Sequence, residues 1–196
     1  MYPYEYEPIV SEQEIRVVHL LPGRHLDDVE IEIHSVTFTP LKPPVYEALS
    51  YAWGTAANRR IIKVHHRSGR EGLGAKPPIH PSLSQNEESN TLAVTQNLEI
   101  TLRYLRLPER RRIFWIDAIC INQEDIPERS REVRRMGKIF SSASQVVVWL
   151  GPESEDSTLA METRQRFSEN VSYDGAKLKL LFKAGTDTFL LHDDEQ

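Results

Sequence analysis

The chain has 196 residues, of which 39% are hydrophobic and 27% are charged, and its formal net charge is -5 at pH 7. This length and composition predict one sizeable core with a poorly specified tail. The acidic balance argues against a nucleic-acid-binding protein, because phosphate backbones are recognised by clustered Lys and Arg.

The apolar runs and the single cysteine predict the cellular compartment of the protein. Every apolar run is far shorter than the roughly 20 residues needed to cross a bilayer, so we expect no membrane span. The N-terminal sequence MYPYEYEPIV has no basic region followed by an apolar stretch, so we expect no secretory signal. Cys120 is the one cysteine and has no partner for an internal disulfide, which agrees with a reducing, cytoplasmic location.

The first half of the chain is predicted to form strands. EIRVVHLLPG (14–23) ends at a Pro-Gly break, and DVEIEIHSVTF (28–38) alternates apolar with polar residues, as a half-solvated strand does. We expect these two strands to pair as antiparallel neighbours. VYEALSYAWG (45–54) is more uniformly apolar, which predicts a central strand, and RIIKVHH (60–66) predicts another short strand.

Residues 67–90 concentrate Gly, Pro, Ser and Asn without an apolar period. They predict a flexible insertion, because such a composition cannot offset its ordering entropy by burial. His65, His66 and His80 lie in or beside this stretch. A metal site there is one interpretation, but solvated loop histidines are favoured because no carboxylate or thiol recurs at helical spacing.

From residue 95 onward the pattern alternates between helix and strand. Thr95 precedes leucines at i, i+4 and i+7, which predicts a capped helix, and RIFWI (112–116) predicts a strand. DIPERSREVRRMGKIFSSAS (125–144) predicts a second helix that begins near Asp125. QVVVWLG (145–151) is a continuous apolar run typical of a strand covered on both sides. The predicted apolar face of the second helix consists of Val133, Met136, Ile139 and Phe140.

These elements predict an α/β fold, namely an open, mainly parallel sheet flanked by helices, with an N-terminal antiparallel strand pair. Ligands of such sheets bind beyond the carboxyl ends of the strands. We therefore expect the segments ending at Gly54, Asp117 and Gly151 to lie side by side and to point the same way. Their polar ends would then share one edge of the sheet.

Four sequence blocks resemble, in order and spacing, the signature blocks of the fungal heterokaryon incompatibility (HET) domain. They are YEALSYAWG (46–54), NLEITLRYLR (97–106), FWIDAICINQEDIPER (114–129) and MGKIFSSASQVVVWLG (136–151). The resemblance covers about residues 15–151, and the WIDAICINQ block is highly specific. Two departures are the long link at 67–90 and Glu132, which stands where the family more often has Gln.

The resemblance divides the chain into a heterokaryon incompatibility domain at 1–151 and a divergent or truncated C-terminal tail at 152–196. Two segments of the tail stand out, the amphipathic DSTLAMETRQRFSEN (156–170) and the more apolar AKLKLLFKAG (176–185). Either segment is predicted to complete the helical cover of the sheet or to extend away from it.

The resemblance implies fungal non-self recognition and regulated cell death, carried out through protein partners or self-association and without a cofactor. HET domains have been considered remote relatives of the Toll/interleukin-1 receptor (TIR) domain, some members of which cleave NAD. The alternative is therefore a TIR-like NAD glycohydrolase with NAD as substrate, and enzymatic activity stays open at this point. The signalling interpretation is favoured, since the sequence has no GxGxxG or GK[ST] phosphate loop.

Two carboxylates are candidate catalytic residues. Asp117 could hold a ribose hydroxyl or stabilise an oxocarbenium-like charge, or it could accept backbone N–H bonds and fix its loop. It is expected on the same side as Trp115 if the strand continues that far. Glu47 is the second candidate, although a TIR-type glutamate would be expected on a helix. Asn122 and Gln123 divide between ligand contact and turn chemistry.

The remaining candidate site residues belong to the same blocks. Cys120 lies between two isoleucines without a nearby histidine, so a buried small residue is favoured over a nucleophile. Tyr51 and Trp53 are predicted to line the crevice or to cover the sheet. Glu128 and Arg129 are predicted to cap and brace the second helix, with ligand contact as the alternative. Ser50 and Gly54 complete the motif set.

Overall fold

The computed structural model describes residues 2–39, 43–65 and 90–152, together with two strands at 178–184 and 187–190. None of the helices in these ranges is long and apolar enough to span a bilayer. The helices are α1 (Gln96–Leu105), the single turn α2 (Asp117–Cys120) and α3 (Ile126–Ser142). The strands are β1 (Glu14–Leu20), β2 (Glu30–Thr37), β3 (Glu47–Tyr51), β4 (Arg59–His65), β5 (Asn90–Thr95), β6 (Arg112–Trp115), β7 (Gln145–Trp149), β8 (Leu178–Ala184) and β9 (Asp187–Leu190).

The strands form one mixed sheet in the order β5-β4-β2-β1-β6-β3-β7-β8-β9. Strand β1 is antiparallel to both β2 and β6, and the pairs β4–β5 and β8–β9 are also antiparallel. The pairs β2–β4, β3–β6, β3–β7 and β7–β8 are parallel. The predicted α/β class and antiparallel N-terminal pair are confirmed. The sheet is mixed and not mainly parallel as predicted, because β1 runs antiparallel to both of its neighbours, and β5 and β9 run antiparallel to β4 and β8.

Helices α1 and α3 cover opposite faces of the sheet. Trp149 of β7 packs against Tyr104 of α1, with ring centroids 5.1 Å apart. Trp115 of β6 packs edge to face against Phe140 of α3, with centroids 5.5 Å apart. Trp115 lies opposite Ala48 of β3, and Trp149 lies opposite Tyr51, three positions further along. The two tryptophans therefore point to opposite faces of the sheet.

Both predicted helices begin where the sequence indicates. Thr95 Oγ1 accepts a hydrogen bond from the backbone N of Leu98 at 3.3 Å, and Asp125 Oδ1 accepts one from the backbone N of Glu128 at 2.9 Å. These caps satisfy amide groups that have no partner within a helix. The three periodic leucines of α1 are buried as expected. The sequence pattern does not predict β5, because its residues follow the polar insertion directly and are too few to show a period.

Several predictions fall outside the described residues. The insertion at 67–90 is described only at its last residue, which begins β5. His66, His80 and the segment at 156–170 also lie outside the described ranges. His65 is described: it ends β4, and its Nε2 lies 3.0 Å from a carboxylate oxygen of β2.

The described part of the segment at 176–185 does not belong to a helical cover. Residues 178–184 form β8, which continues the sheet parallel to β7, and β9 then pairs with β8 in the antiparallel sense. A strand of this kind satisfies its backbone groups through the open edge of β7. The division of the chain after residue 151 stays a prediction.

The buried face of α3 differs from the predicted one. Val133 is 53% exposed, whereas Glu132 is 1% exposed and Glu128 is 3% exposed. Glu132 is held by Arg135 at 2.7 Å and by Arg131 at 3.3 Å. Ile139 is buried and Met136 and Phe140 pack against the core as predicted, so the prediction is wrong only at Val133 and in omitting the two glutamates. Hydrophobic periodicity takes a glutamate to be solvated, and ion pairing reverses that preference.

A buried ion pair between Arg16 of β1 and Glu128 of α3 ties these two elements together. Both side chains are almost fully buried, and they contact each other through two hydrogen bonds, of 2.6 and 3.0 Å. Arg16 also donates to the carbonyl oxygen of Cys120 at 3.0 Å and to that of Glu7 at 2.6 Å. Glu128 Oε1 accepts from the backbone N of Asn122 at 2.7 Å. The pair therefore fixes the segment between β6 and α3.

We expect Arg16→Met to lower the free energy of unfolding by about 3–5 kcal/mol, because it leaves the Glu128 carboxylate buried without its partner. Urea denaturation measures the change. Lys63→Met is the matched control, because it breaks an ion pair that water screens, and it should change stability far less. Equal losses for the two variants would show that the buried pair does not hold the fold together.

Candidate functional site

Three strand ends meet at one edge of the sheet. Strand β3 lies between β6 and β7 and is parallel to both, with Ala48 opposite Trp115 and Tyr51 opposite Trp149. The residues that follow these strands therefore leave the sheet on the same side. The predicted convergence of the segments ending at Gly54, Asp117 and Gly151 is confirmed. We call Tyr51, Trp53, Asp117 and Trp149, which lie at this edge, the carboxyl-edge cluster.

The centre of the carboxyl-edge cluster is a contact between Asp117 and Trp53. The indole Nε1 of Trp53 donates a hydrogen bond to Asp117 Oδ2 at 3.0 Å, and the backbone N of Ala118 donates to Oδ1 at 2.7 Å. Burial raises the pKa of the Asp117 carboxyl above its ordinary value, and the two hydrogen bonds partly offset this effect. Trp53 is 44% exposed, so its ring forms the outer wall beside the carboxylate.

The turn after β3 holds Trp53 in place. Asn97, in the first turn of α1, donates a side-chain hydrogen bond to the carbonyl oxygen of Ala52. Gly54 has a φ of 73°, in the left-handed region that favours glycine. A Cβ added to Gly54 would lie 3.4 Å from Asn97 Cβ. The left-handed φ is therefore what favours glycine here, since the distance to Asn97 is an ordinary van der Waals contact.

Two buried polar atoms on the α1 face have no hydrogen-bond partner, namely the Tyr51 hydroxyl and the Trp149 Nε1. Their residues are opposite each other in the β3–β7 register, so both side chains lie on the same face. Burial, and secondly the nearby Asp117 carboxylate, raise the pKa of the Tyr51 phenol. Native proteins rarely leave such atoms without a partner. The face can therefore supply hydrogen bonds to a small polar molecule or to water.

Trp115 does not share a side with Asp117. Strand β6 ends at Trp115, and Asp117 begins the helical turn α2 with Ile116 as its N-cap. Trp115 is 1% exposed and packs under α3. The expectation fails because the strand does not continue to the aspartate, so its alternation no longer applies. The aromatic neighbour of Asp117 is Trp53.

The polar residues after Asp117 contact the backbone of their own loop. Gln123 Nε2 donates to the carbonyl oxygens of Asp117 at 2.9 Å and Ile121 at 3.2 Å. Asn122 Oδ1 accepts from the backbone N of Glu124 at 3.1 Å. The sequence left ligand contact and turn chemistry as alternatives for these two residues, and the contacts are those of turn chemistry.

Cys120 is a buried residue, as the sequence favours. It is 1% exposed, and its Sγ accepts a hydrogen bond from the backbone N of Ile116 at 3.3 Å. Burial raises the pKa of the Cys120 thiol to about 12. A thiol in this state has almost no thiolate at neutral pH and is a poor nucleophile.

The structure does not bring Glu47 to the carboxyl-edge cluster. Glu47 begins β3, at the opposite end from Tyr51, and its two oxygens accept hydrogen bonds from Arg112 at 3.0 and 2.5 Å. Its catalytic role stays a prediction. Ser50 lies on the other strand face from Tyr51, because neighbouring residues of a strand alternate.

The two residues predicted to cap and brace the second helix make other contacts, and the N-cap of α3 is Asp125. Glu128 is paired with Arg16 as described above, and Arg129 Nη1 donates to the carbonyl oxygen of Gln123 at 3.3 Å. Sequence reasoning did not identify Arg16 or Asn97 as important. The available signal for Arg16 was a charged residue inside an otherwise apolar strand.

Comparison with known proteins gives two similarities. Residues 46–184 match the family model described as heterokaryon incompatibility protein (HET). Over 154 residues the chain is 39% identical to "Heterokaryon incompatibility protein 6, OR allele" of Neurospora crassa, an alignment that covers 76% of this chain and 20% of that protein. The chain thus spans about a fifth of the length of this curated relative. No solved structure matches the chain.

We expect Asp117→Asn to remove a pH dependence of stability. The folded protein holds the Asp117 proton more tightly than the unfolded chain, so this group's stabilisation is complete below pH 3.8 and is lost as pH rises through the raised pKa. The unfolding free energy of the parent minus that of the variant should therefore fall as pH rises across that window. Urea denaturation at a series of pH values measures it, and a pH-independent difference would contradict the assignment.

We expect the native Cys120 thiol to be inert to a thiol-reactive disulfide reagent at about pH 8, because it is buried and protonated. Unfolding in urea should release one reactive thiol per chain, since the sequence contains one cysteine. The rate of the colour change measures both states. Rapid reaction of the folded protein would mean that this part of the core opens readily.

Proposed function

The chain belongs to the heterokaryon incompatibility (HET) family, and we propose that it is a cytoplasmic domain that signals non-self recognition and regulated cell death in fungal cells. The curated relative is named for heterokaryon incompatibility, which supports a role in fungal incompatibility. That relative is about five times as long as the aligned segment, so most of its length is not aligned with this chain. We therefore assign to this chain the part of the response that one domain performs, namely contact with protein partners or with a second copy.

The single observation that supports signalling most strongly is the use of polar groups in the WIDAICINQ block. Asp117 binds the Trp53 indole and a backbone N–H, and Gln123 binds two backbone carbonyls. Glu128, just after this block, is paired with Arg16. These groups are engaged in holding the loop against β1 and α3. Such an arrangement is typical of a rigid surface and not of side chains that are free to bind a substrate.

The surface of the sheet edge beside this loop is partly apolar. Trp53 is 44% exposed and Leu150 is 62% exposed, and they follow the adjacent parallel strands β3 and β7 at the same edge. Large apolar side chains grouped on a surface are typical of protein contact sites, and exposed aromatic residues are enriched in them. We propose that partner proteins or other copies bind at this edge.

The second candidate is cleavage of NAD, and one observation favours it. The Asp117 carboxylate lies near the Tyr51 hydroxyl, which has no partner, as does Trp149 Nε1 on the same face. These groups could bind the hydroxyls of a ribose. In the reaction the nicotinamide leaves with the electron pair of the glycosidic bond, a water oxygen adds to the ribose carbon, and its proton passes to solvent. Asp117 would stabilise the positive charge that develops on the ribose.

We expect induced expression of the chain in a fungal host to lower the number of viable cells at least roughly tenfold, and Leu150→Glu to reverse this effect by placing a charge in the apolar contact. Val133→Glu is the matched control. It changes another exposed apolar residue, on α3, and should leave the toxicity intact. Equal effects of the two variants, or no toxicity of the parent, would overturn the proposed contact edge.

Nicotinamide release from NAD separates the two candidates. For signalling alone we expect no release by the purified parent, even at concentrations that permit self-association. For NAD cleavage, the parent would release nicotinamide, and an Asp117→Asn variant that is shown to be folded by its melting curve would not. Glu124→Gln provides the control, because it makes the same change at an exposed carboxylate in the same loop.

A further inference from the structure

Two imidazoles and one carboxylate converge on the antiparallel pair β1–β2. His19 lies directly opposite Glu32 in the register, and His34 is two residues further along β2, on the same face as Glu32. One ligand-type atom from each of the three residues lies within 4.8 Å of those of the other two. These residues belong to strands on the other side of β6 from β3 and β7, so they are not part of the carboxyl-edge cluster.

We propose that His19, Glu32 and His34 bind a divalent transition metal ion such as Zn²⁺, through two imidazole nitrogens and one carboxylate oxygen. Imidazole and carboxylate are common zinc ligands, and two histidines with one acidic residue form a frequent three-ligand set. Three protein ligands leave the fourth position of a tetrahedral ion to water or to a further ligand. This inference does not depend on the proposed signalling function.

The distances between the ligand atoms suit such an ion. Bonds of about 2.0–2.1 Å in a tetrahedral site place the ligand atoms about 3.3 Å from one another. His19 Nδ1 lies 3.6 Å from Glu32 Oε2, and His34 Nε2 lies 2.9 Å from the same oxygen. The two values lie on either side of the tetrahedral spacing. The rings of His19 and His34 stack with centroids 4.1 Å apart, so side-chain rotation is required to direct both nitrogens at one ion.

A second observation points to a ligand at this place. His19 Nδ1 is buried and has no hydrogen-bond partner, since Glu32 Oε2 is too far away for one. A bound metal ion would satisfy this nitrogen without moving the strands. The side chains of His19, Glu32 and His34 are 14, 15 and 30% exposed, so they combine restricted motion with access from solvent.

The same sheet face contains an internal control for this arrangement. His65 of β4 lies opposite Glu32 in the parallel register, and its Nε2 lies 3.0 Å from Glu30 Oε2. Glu30 also faces the ammonium group of Lys63 at 3.6 Å. This second pair combines one imidazole and one carboxylate with a cation, a set that does not suit a metal ion. Comparing the three-residue site with the His65–Glu30 pair therefore distinguishes metal binding from simple histidine–carboxylate pairing.

Calorimetric titration of the purified full chain with ZnCl₂ tests the proposal. We expect one equivalent to bind and the melting temperature to rise, because the ion binds the folded state. His34→Ala and Glu32→Gln should each weaken the binding at least roughly tenfold, which is the effect expected even for residues that only support a metal ligand. His65→Ala should bind as the parent does. Melting curves without metal identify which variants are folded. The test needs only one of His34→Ala and Glu32→Gln to be folded.

Co²⁺ provides a readout of the ligands themselves. We expect the parent with Co²⁺ to show the intense visible absorption of a four-coordinate ion, and Glu32→Gln to lose it. Absence of stoichiometric binding by the parent would overturn the proposal. Binding that is equal in the parent and in a folded His34→Ala or Glu32→Gln variant, or that is lost only in His65→Ala, would also overturn it.

Discussion

The buried pair between Arg16 and Glu128 is the interaction on which the arrangement of the signature residues depends. Removing two charges from water is expensive, and their attraction repays this only when the geometry is good and the remaining donors and acceptors are satisfied. Here the guanidinium and carboxylate contact each other twice and also bind backbone groups of the segments at Glu7, Cys120 and Asn122, which leaves the Arg16 Nε as the one buried nitrogen of the guanidinium without a partner among the described residues. One pair thus joins the N-terminal segment, β1, the WIDAICINQ loop and α3.

This brace explains why the loop after β6 is so dense in polar side chains. An apolar strand that ends in a helical turn exposes backbone groups at a place where water has limited access. Asp117, Gln123 and Glu128 supply acceptors and donors to these groups, and Trp53 covers the aspartate from outside. The result is an edge with a partly apolar surface, which supports the proposed contact with other proteins.

Two regions of the sheet differ in what they can do. The carboxyl edge of β3, β6 and β7 combines a raised aspartate pKa with exposed Trp53 and with hydrogen-bonding atoms that lack partners. The pair β1–β2 instead presents His19, Glu32 and His34 to one another. Because Arg16 and His19 lie on the same strand, a metal ion at the second region would stiffen the element that also carries the central ion pair.

The sequence by itself determined the family, the helices α1 and α3 with their starts, most of the strands before residue 152, and the meeting of three strand ends, but not β5, α2, β8 or β9. These features depend on local periodicity, on cap chemistry or on specific motif wording, all of which are written in consecutive residues. The tertiary structure alone decided the direction of β1 within the sheet, the burial of Glu128 and Glu132, and Trp53 as the neighbour of Asp117. Each of these depends on partners far apart in the chain, and a charge that pairs across such a distance appears in the sequence as an ordinary solvated side chain.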